Sequence, residues 1–216
     1  MRIPIVRTAI VLAATLMAAP IKAQQPMRYG SHVSVAGGLT YSTLGGQFIE
    51  QADWKSGVFV GAQVMRAVAP NFGVGVEVNY FQTGASNIVA VTNDRIDELR
   101  FSYVEIPLIF NYFNQLGSNF VWGAYTGFGM AFTVSCDIQA PRATDSNCKS
   151  NDAQQIVQAS DLQLNVPFGL QLGYVFPGSS TTLMADVRFS LGLNSALSVV
   201  AARNRSLQFM LRLLFG

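Results

Sequence analysis

LQLNVPFGLQLGYVF, residues 162–176, is the stretch of this 216-residue chain that decides its fold. Every second residue from Leu162 to Phe176 is apolar, and most of the residues between them are Gln, Asn, Pro or Gly. Alternation with a period of two is typical of a β-strand with two different faces. One face suits hydrocarbon, and the other suits a narrow polar interior.

The same alternation recurs along the chain, for example around Val76, Leu108, Phe128, Val187 and Leu211. Each segment is at least as long as the 9–11 residues that a tilted transmembrane strand needs. Eight strands are predicted, near residues 31–41, 56–67, 71–82, 98–113, 118–132, 161–176, 181–192 and 205–215.

The connections between these segments alternate in length. Short ones containing Pro or Gly are predicted at 68–70, 114–117 and 177–180, and longer polar ones at 42–55, 83–97, 133–160 and 193–204. Outer-membrane barrels have short periplasmic turns, longer outside loops and an even strand number. The pattern predicts that both termini are periplasmic and that the four long connections are extracellular.

Composition favours a membrane barrel over a soluble one. The chain is 50% hydrophobic and 12% charged, whereas about 25% charged residues is usual in soluble domains. In hydrocarbon each unpaired backbone group costs several kcal/mol, and closing the sheet removes every open edge. A soluble sandwich or lipocalin-like barrel would instead expose the face rich in Gly and Gln. The predicted fold class is all-β, an eight-stranded antiparallel up-and-down transmembrane β-barrel.

Residues 1–23 have the pattern of a secretory signal peptide. Arg2 and Arg7 precede a short apolar run, and Ala23 offers a small residue for cleavage. The predicted mature barrel domain is therefore 24–216. Removing residues 1–23 leaves 11 basic and 12 acidic residues, so no basic surface suggests nucleic-acid binding.

Three motifs resemble a known family of outer-membrane β-barrels that includes the PorT-like proteins, often labelled "porin family". They are Tyr103-Val-Glu-Ile-Pro-Leu108, Ser34-Val-Ala-Gly-Gly-Leu39 and Ala185-Asp-Val-Arg-Phe-Ser-Leu-Gly-Leu193, the last with Phe189 where Tyr is common. The chain departs from the usual barrel ending because Gly216 follows the aromatic Phe215. The resemblance implies a Gram-negative outer membrane and an eight-stranded barrel, and it implies no single activity.

Five charged residues fall on the predicted interior face: Glu77, Glu105, Asp186, Arg188 and Arg212. Charges in a narrow interior must be paired because desolvation is costly. They are predicted to form a network with neighbouring Gln and Asn side chains. Three interpretations stay open: a polar plug that holds the barrel rigid, a narrow or gated ion path, and a catalytic site.

Cys136 and Cys148 are the only cysteines, and both lie in the longest predicted loop. Export implies an oxidising compartment, so a disulfide is expected, with free thiols or a metal pair as alternatives. The acidic residues of this loop lack the spacing of a calcium loop, so no metal site is predicted. His32 and Ser34 share one face of the first strand as a possible base and nucleophile, but no acid is placed to orient His32.

The leading functional prediction is a non-enzymatic structural or interaction barrel that displays loops at the cell surface or assists an envelope export machine. The alternatives are a narrow channel for ions or very small solutes and, third, a lipid-modifying enzyme. No cofactor is expected. The predicted partners are outer-membrane lipid, the assembly and export machinery during biogenesis, and a cell-surface or envelope protein.

Overall fold

The computed structural model describes residues 30–46, 49–90, 95–139, 148, 160–196 and 202–216. This part of the chain contains eight strands. They are β1 (Ser31–Gly46), β2 (Ile49–Ala69), β3 (Phe72–Ala90), β4 (Arg95–Leu116), β5 (Phe120–Gln139), β6 (Leu162–Val175), β7 (Thr181–Gly192) and β8 (Ala202–Phe215). The predicted signal peptide, 1–23, lies outside the described residues.

Every strand pairs antiparallel with its neighbours in sequence, and β8 returns to pair with β1. The sheet is therefore a closed barrel, and the predicted fold class is confirmed. Within the described ranges, no helix is long and apolar enough to cross a membrane.

The two faces of the barrel have the polarity of a protein surrounded by lipid. Outward-facing Leu170 and Leu211 are 65% and 62% exposed, whereas inward-facing Gln171 and Arg212 are 6% and 2% exposed. A soluble barrel would bury the leucines and expose the polar residues. The outward apolar faces predicted from the alternation are thus present in the structure.

Aromatic side chains form an outward girdle near the short turns. Phe72 and Tyr112 meet edge to face with centroids 5.1 Å apart, and Tyr112 meets Trp122 at 5.7 Å. Phe120 and Tyr174 form a third such pair at 5.3 Å. Amphipathic rings favour this depth in outer-membrane barrels, where one end meets hydrocarbon and the other meets water.

The strands extend well into the segments predicted as loops, which corrects their boundaries. Only residues 47–48 separate β1 from β2, and only 91–94 separate β3 from β4, where loops 42–55 and 83–97 were predicted. Likewise β5 continues to Gln139, inside the predicted loop 133–160, and β8 begins at Ala202, inside 193–204.

The cause of this error is an inversion of the alternation. In the lipid-facing part of each strand the outward residues are apolar. Nearer the long connections the inward residues are apolar instead, as Leu99 and Phe101 are, while Arg100 between them faces outward. The antiparallel pairing itself continues: Ser42 of β1, for instance, is paired with Lys55 of β2. Strands that leave lipid keep their pairing and exchange the polarity of their faces, so a search for outward apolar rows ends too early.

The barrel wall is uneven at the loop end, which is the end where β1 connects to β2, β3 to β4, β5 to β6 and β7 to β8. The opposite end, with the short turns, is the turn end. Strands β2 to β5 have 19 to 22 residues, whereas β6, β7 and β8 have 14, 12 and 14. Because short turns hold most strands level at the other end, the extra length of β2–β5 projects beyond the loop-end rim.

Candidate functional site: the polar core of the barrel

The described interior is stacked in three layers. A loop-end cluster is apolar and includes Phe59, Phe81, Leu99, Phe101, Tyr103 and Ile138. A turn-end cluster is also apolar and consists of Met65, Ala67, Phe113, Val121, Met184 and Leu214. The polar core lies between them, as the order Phe59, Gln63, Met65 along β2 shows. The sequence predicted a polar interior throughout, and the apolar layer at each end is a correction.

Arg188 is the centre of the polar core. Its Nη2 donates to both carboxylate oxygens of Glu77, at 3.0 and 2.7 Å, and its Nε donates to the Tyr125 hydroxyl at 2.7 Å. The guanidinium also lies over the rings of Phe59 and Tyr125, with centroids at 5.6 and 5.0 Å. Arg188 is 1% exposed. A buried guanidinium is stable only with this degree of pairing.

Arg212 joins the two buried acids. Its Nη2 donates to Glu77 at 3.0 Å and to Asp186 at 3.2 Å. Its Nη1 donates to the Ser34 hydroxyl at 3.0 Å and to the Gln63 side-chain oxygen at 3.3 Å. Asp186 also accepts from Tyr125 at 2.8 Å and thus links the two arginine sites.

Glu105 occupies the same layer without an ion pair among the described residues. Its carboxyl accepts a hydrogen bond from the Asn165 amide at 2.8 Å, and it is 3% exposed. The structure therefore brings four of the five predicted interior charges into one bonded network and sets Glu105 beside it. Three acids face two guanidiniums in this layer.

The polar core contains side chains from all eight strands. Ser34 is on β1, Gln63 on β2, Glu77 on β3, Glu105 on β4, Tyr125 on β5, Asn165 and Gln171 on β6, Asp186 and Arg188 on β7, and Arg212 on β8. The bonds span large sequence separations, 111 residues for Arg188–Glu77 and 178 for Arg212–Ser34. Such contacts fix strand order and register because only one register brings these groups together.

Sequence reasoning missed the roles of Tyr125 and Asn165. Tyr125 lies in a row of inward glycines and small residues, so the sequence pattern indicates a packing role rather than a hydrogen-bonding one. Its ring lies directly over Gly169, where an added Cβ would collide with the ring carbons. An inward Tyr opposite a Gly on the paired strand was the signal that could have identified it.

The predicted disulfide Cys136–Cys148 is present, with the Cα atoms 5.4 Å apart. Cys148 is 1% exposed, belongs to the loop-end cluster and donates its backbone N–H to the Cys136 carbonyl at 3.1 Å. Ala196, from the connection after β7, is buried in the same cluster. The disulfide thus fastens Cys148 to the mouth of the barrel.

Ser34 and His32 are both buried inside the barrel. The Ser34 hydroxyl donates to Gln63 at 3.4 Å and accepts from Arg212. His32 lies at the turn end against Gly216. Among the residues that the structure describes, no group of three or more His, Cys, Asp or Glu could hold a metal ion.

A closed eight-stranded sheet with an apolar exterior and a charged, bonded interior defines an outer-membrane β-barrel. The family model described as "Outer membrane protein beta-barrel domain" matches residues 22–198, and the chain belongs to this family. The resemblance seen in the sequence is confirmed at this level, and the narrower PorT-like name stays a prediction. No curated protein matches the chain.

The chain is similar to several solved structures. The outer membrane protein OprG from Pseudomonas aeruginosa is 13% identical, with 88% of this chain and 97% of that chain covered and a TM-score of 0.51. Neisserial surface protein A is 12% identical, with 84% and 95% covered and a TM-score of 0.46. Ail of Yersinia pestis, solved in complex with the heparin analogue sucrose octasulfate, is 11% identical, with 86% and 99% covered and a TM-score of 0.43. At 13% identity the likeness to OprG shows the fold alone.

Proposed function

We propose that this protein is a sealed, non-catalytic outer-membrane barrel whose projecting loop end serves as an interaction surface outside the cell. The observation that carries the proposal is the polar core, in which Arg188 and Arg212 from one side of the lumen are bonded to Glu77 on the other. A rigid scaffold with a filled interior leaves its loops as the part that meets a partner.

The bonds of the polar core oppose passage of solutes. An ion entering the lumen must separate Arg188 from Glu77 or Arg212 from Asp186, and breaking a buried pair costs about 3–5 kcal/mol. It must also cross the apolar loop-end and turn-end clusters, where a charge has no partner. An eight-stranded barrel has an interior that side chains can fill.

The uneven wall supports a role for the loop end. Strands β2–β5 project furthest there, and the Cys136–Cys148 disulfide fastens Cys148 to the mouth of the barrel. In this proposal the short turns and both termini are periplasmic, and the projecting ends face the medium. The partner is a cell-surface or envelope protein, or an export machine that the barrel assists.

Conductance of the purified barrel in planar lipid bilayers tests the seal. The wild-type protein is expected to give no steady channels. Steady conductance that changes with Glu105→Gln or Arg188→Met would overturn the sealed barrel. Leu170→Ala, on the lipid-facing side of β6, is the control that leaves the lumen unchanged.

A narrow ion path is the second candidate function, and one observation favours it. Five buried amide atoms of the interior have no hydrogen-bond partner among the described residues: Asn111 Nδ2, Gln163 Nε2, Gln171 Oε1, Asn204 Oδ1 and Gln208 Oε1. Unpaired amides are costly unless they are hydrated, so they are the groups that a water-filled path would use. The same bilayer recording distinguishes the two candidates.

The non-catalytic part of the proposal rests on Ser34. Its hydroxyl is engaged by Arg212 and Gln63 deep in the lumen, where a lipid substrate has no access. We expect the lipid composition of cells to be unchanged by His32→Ala. A shift in acylation or headgroup pattern in the variant would show an enzymatic role.

Crosslinking from the loop end tests the interaction role. A photoreactive residue in place of exposed Asp137, at the projecting end of β5, is expected to capture an envelope or surface protein in intact cells. The same probe at Ser118, in a short turn at the opposite end, is the control for position. Equal capture from both sites would contradict a role specific to the loop end.

A further inference from the structure

Two arginines stand side by side on the outer face of β8, above its lipid-facing row. Arg203 and Arg205 are exposed and are followed on the same face by Leu207, Phe209, Leu211, Leu213 and Phe215. Basic residues at the end of an apolar row are placed to meet the polar boundary of the bilayer.

The depth of Arg205 can be estimated from strand geometry. Phe215 lies ten positions further along β8, at the turn end. With a rise of about 3.3 Å per residue and a tilt of roughly 40°, the two differ in height by about 25 Å. This equals the height of the apolar band of outer-membrane barrels, so Arg205 lies at its upper edge and Arg203 just above it. On the neighbouring strand β1, Thr43 is the register partner of Arg205. Tyr41 is exposed two positions from Thr43, toward the turn end.

The side chain of Arg205 turns away from the hydrocarbon. Its backbone pairs with Thr43, yet its guanidinium lies against Gly45, two positions further toward the loop end, where a Cβ would be 3.5 Å from Cζ. Gly45 is also the register partner of Arg203. The Arg205 guanidinium therefore lies beside Gly45, at the strand level of Arg203.

This pair has no counter-charge in the described structure. Neither arginine makes an ion pair there, strands β1 and β8 contain no acidic residue, and the one acid of β7, Asp186, faces the lumen. Neighbouring like charges repel, so a ligand that stabilises them must be anionic. At this depth the anion that is always present is the headgroup phosphate of a membrane lipid.

We propose that Arg203 and Arg205, with Gly45 beside them on β1, form a binding site for a phosphate group of the lipid in the outer leaflet. In a Gram-negative outer membrane this is the phosphorylated glycolipid whose lipid part is lipid A. The proposal rests on the loop-outward orientation of the proposed function. Planar, multidentate guanidinium donors suit phosphate oxygens better than lysine does.

Binding of fluorescent lipid A to the folded barrel in neutral detergent tests the site. Arg205→Gln and Arg203→Gln are each expected to weaken binding about fivefold, and the double variant more strongly, because each basic residue near the headgroups contributes a comparable factor. Arg66→Gln is the matched control, since Arg66 is an exposed arginine in an outward row of β2 at the opposite, turn-end rim. It is expected to bind as the wild type does.

A second variant separates local geometry from net charge. Gly45→Val retains both arginines but places a branched side chain against the Arg205 guanidinium, so it is expected to weaken binding while the barrel stays heat-modifiable on gels. Lipid A lacking its phosphates is expected to bind weakly to every form, and millimolar inorganic phosphate is expected not to displace lipid A.

Equal binding by the double variant and the wild type would overturn the proposal, as would an equal loss in Arg66→Gln. Displacement by inorganic phosphate alone would show a simple ion site rather than a lipid site. Binding of soluble dextran sulfate through these arginines, without binding of lipid A, would assign the site to an anionic polysaccharide instead. Channel activity of the wild type would refute the sealed barrel and leave these measurements unaffected.

Discussion

Arg188 lies on β7, and its guanidinium crosses the lumen to the Glu77 carboxylate on β3. Both groups are 1% exposed, so neither has water as an alternative partner. In this setting the cost of removing one partner exceeds the net gain from the pair, since the remaining charge is left buried. The residues of the polar core therefore act as a unit, and single substitutions in it have unequal effects.

Arg188→Met is expected to lower the free energy of unfolding by about 3 kcal/mol, because Glu77 loses the closer of its two guanidinium partners and keeps only Arg212. Glu77→Gln combined with Arg188→Met is expected to recover part of this loss. Urea unfolding in lipid vesicles, followed by tryptophan fluorescence, measures both effects.

Glu105→Gln is the matched control for these variants. Glu105 is buried in the same layer, accepts a hydrogen bond from Asn165 and has no ion pair among the described residues. A glutamine oxygen can accept the same bond, so its stability is expected to stay within about 1 kcal/mol of the wild type. A larger loss for Glu105→Gln than for Arg188→Met would contradict this account of the polar core.

At the scale of the strand, a salt bridge joins the projecting ends of β2 and β4. Lys55 Nζ lies 2.8 Å from Glu98 Oε1, and Arg100 Nη2 lies 3.4 Å from the same oxygen. These groups lie above the outward apolar rows, where water is present. The hydrogen bond from Lys55, followed by the charges of Lys55 and Arg100, holds the pKa of Glu98 below its ordinary value of 4.5.

A lowered pKa in the folded state fixes the sign of the pH effect. The contribution of Glu98 is present above the pKa of the unfolded chain and is lost as the pH falls through the lower, folded pKa. Amide hydrogen exchange in the loop-end halves of β2–β4, corrected for intrinsic rates, is expected to become faster in acid than at neutral pH. Glu98→Gln should remove this pH dependence, and an unchanged dependence in the variant would assign it to another group.

The Cys136–Cys148 disulfide is the second interaction that stabilises the loop end. Cys136 and Cys148 enclose a short loop, for which the loss of chain entropy is worth about 3 kcal/mol. Reduction, or replacement of both by Ser, is expected to increase protease cleavage between β5 and β6 while the barrel stays folded, because the polar core is independent of Cys148. Limited proteolysis followed by mass spectrometry locates the cuts. Loss of the folded barrel on reduction would show that the disulfide holds the whole sheet.

At the scale of the molecule, closure is the property on which the other features depend. The pairing of β8 with β1 leaves no strand edge in the described sheet open to lipid, where an unpaired edge would be costly. Lateral hydrogen bonds and the polar core, which joins all eight strands, must break together for the barrel to open.

Cooperative closure predicts heat modifiability. The purified protein is expected to migrate at a different apparent mass on detergent gels before and after boiling, because the closed barrel resists detergent at room temperature. The Arg188→Met variant is expected to convert at a lower temperature than the wild type. Identical migration of boiled and unboiled wild-type protein would count against a closed barrel.

The sequence was sufficient to predict the strand number, the closed sheet and the inward charges. A strand in lipid must alternate, and a period of two assigns each residue to a face without any knowledge of its partners. The prediction of loops at 42–55 and 83–97 was wrong because the same rule assumes that lipid surrounds the strand along its whole length. Where the wall leaves the membrane the outer face becomes polar, and the alternation no longer points outward.

The sequence by itself determined which residues face the lumen, because hydrocarbon admits only apolar side chains and a paired, closed backbone. Which of those residues are in contact depends on how the strands pair. The register and shear of the closed sheet bring Arg212 to Ser34 across 178 positions, place Tyr125 over Gly169 and leave Glu105 apart from the guanidiniums. A local pattern repeats every two residues and carries no record of which strands become neighbours or in what register, so these contacts exist only once the strands have paired.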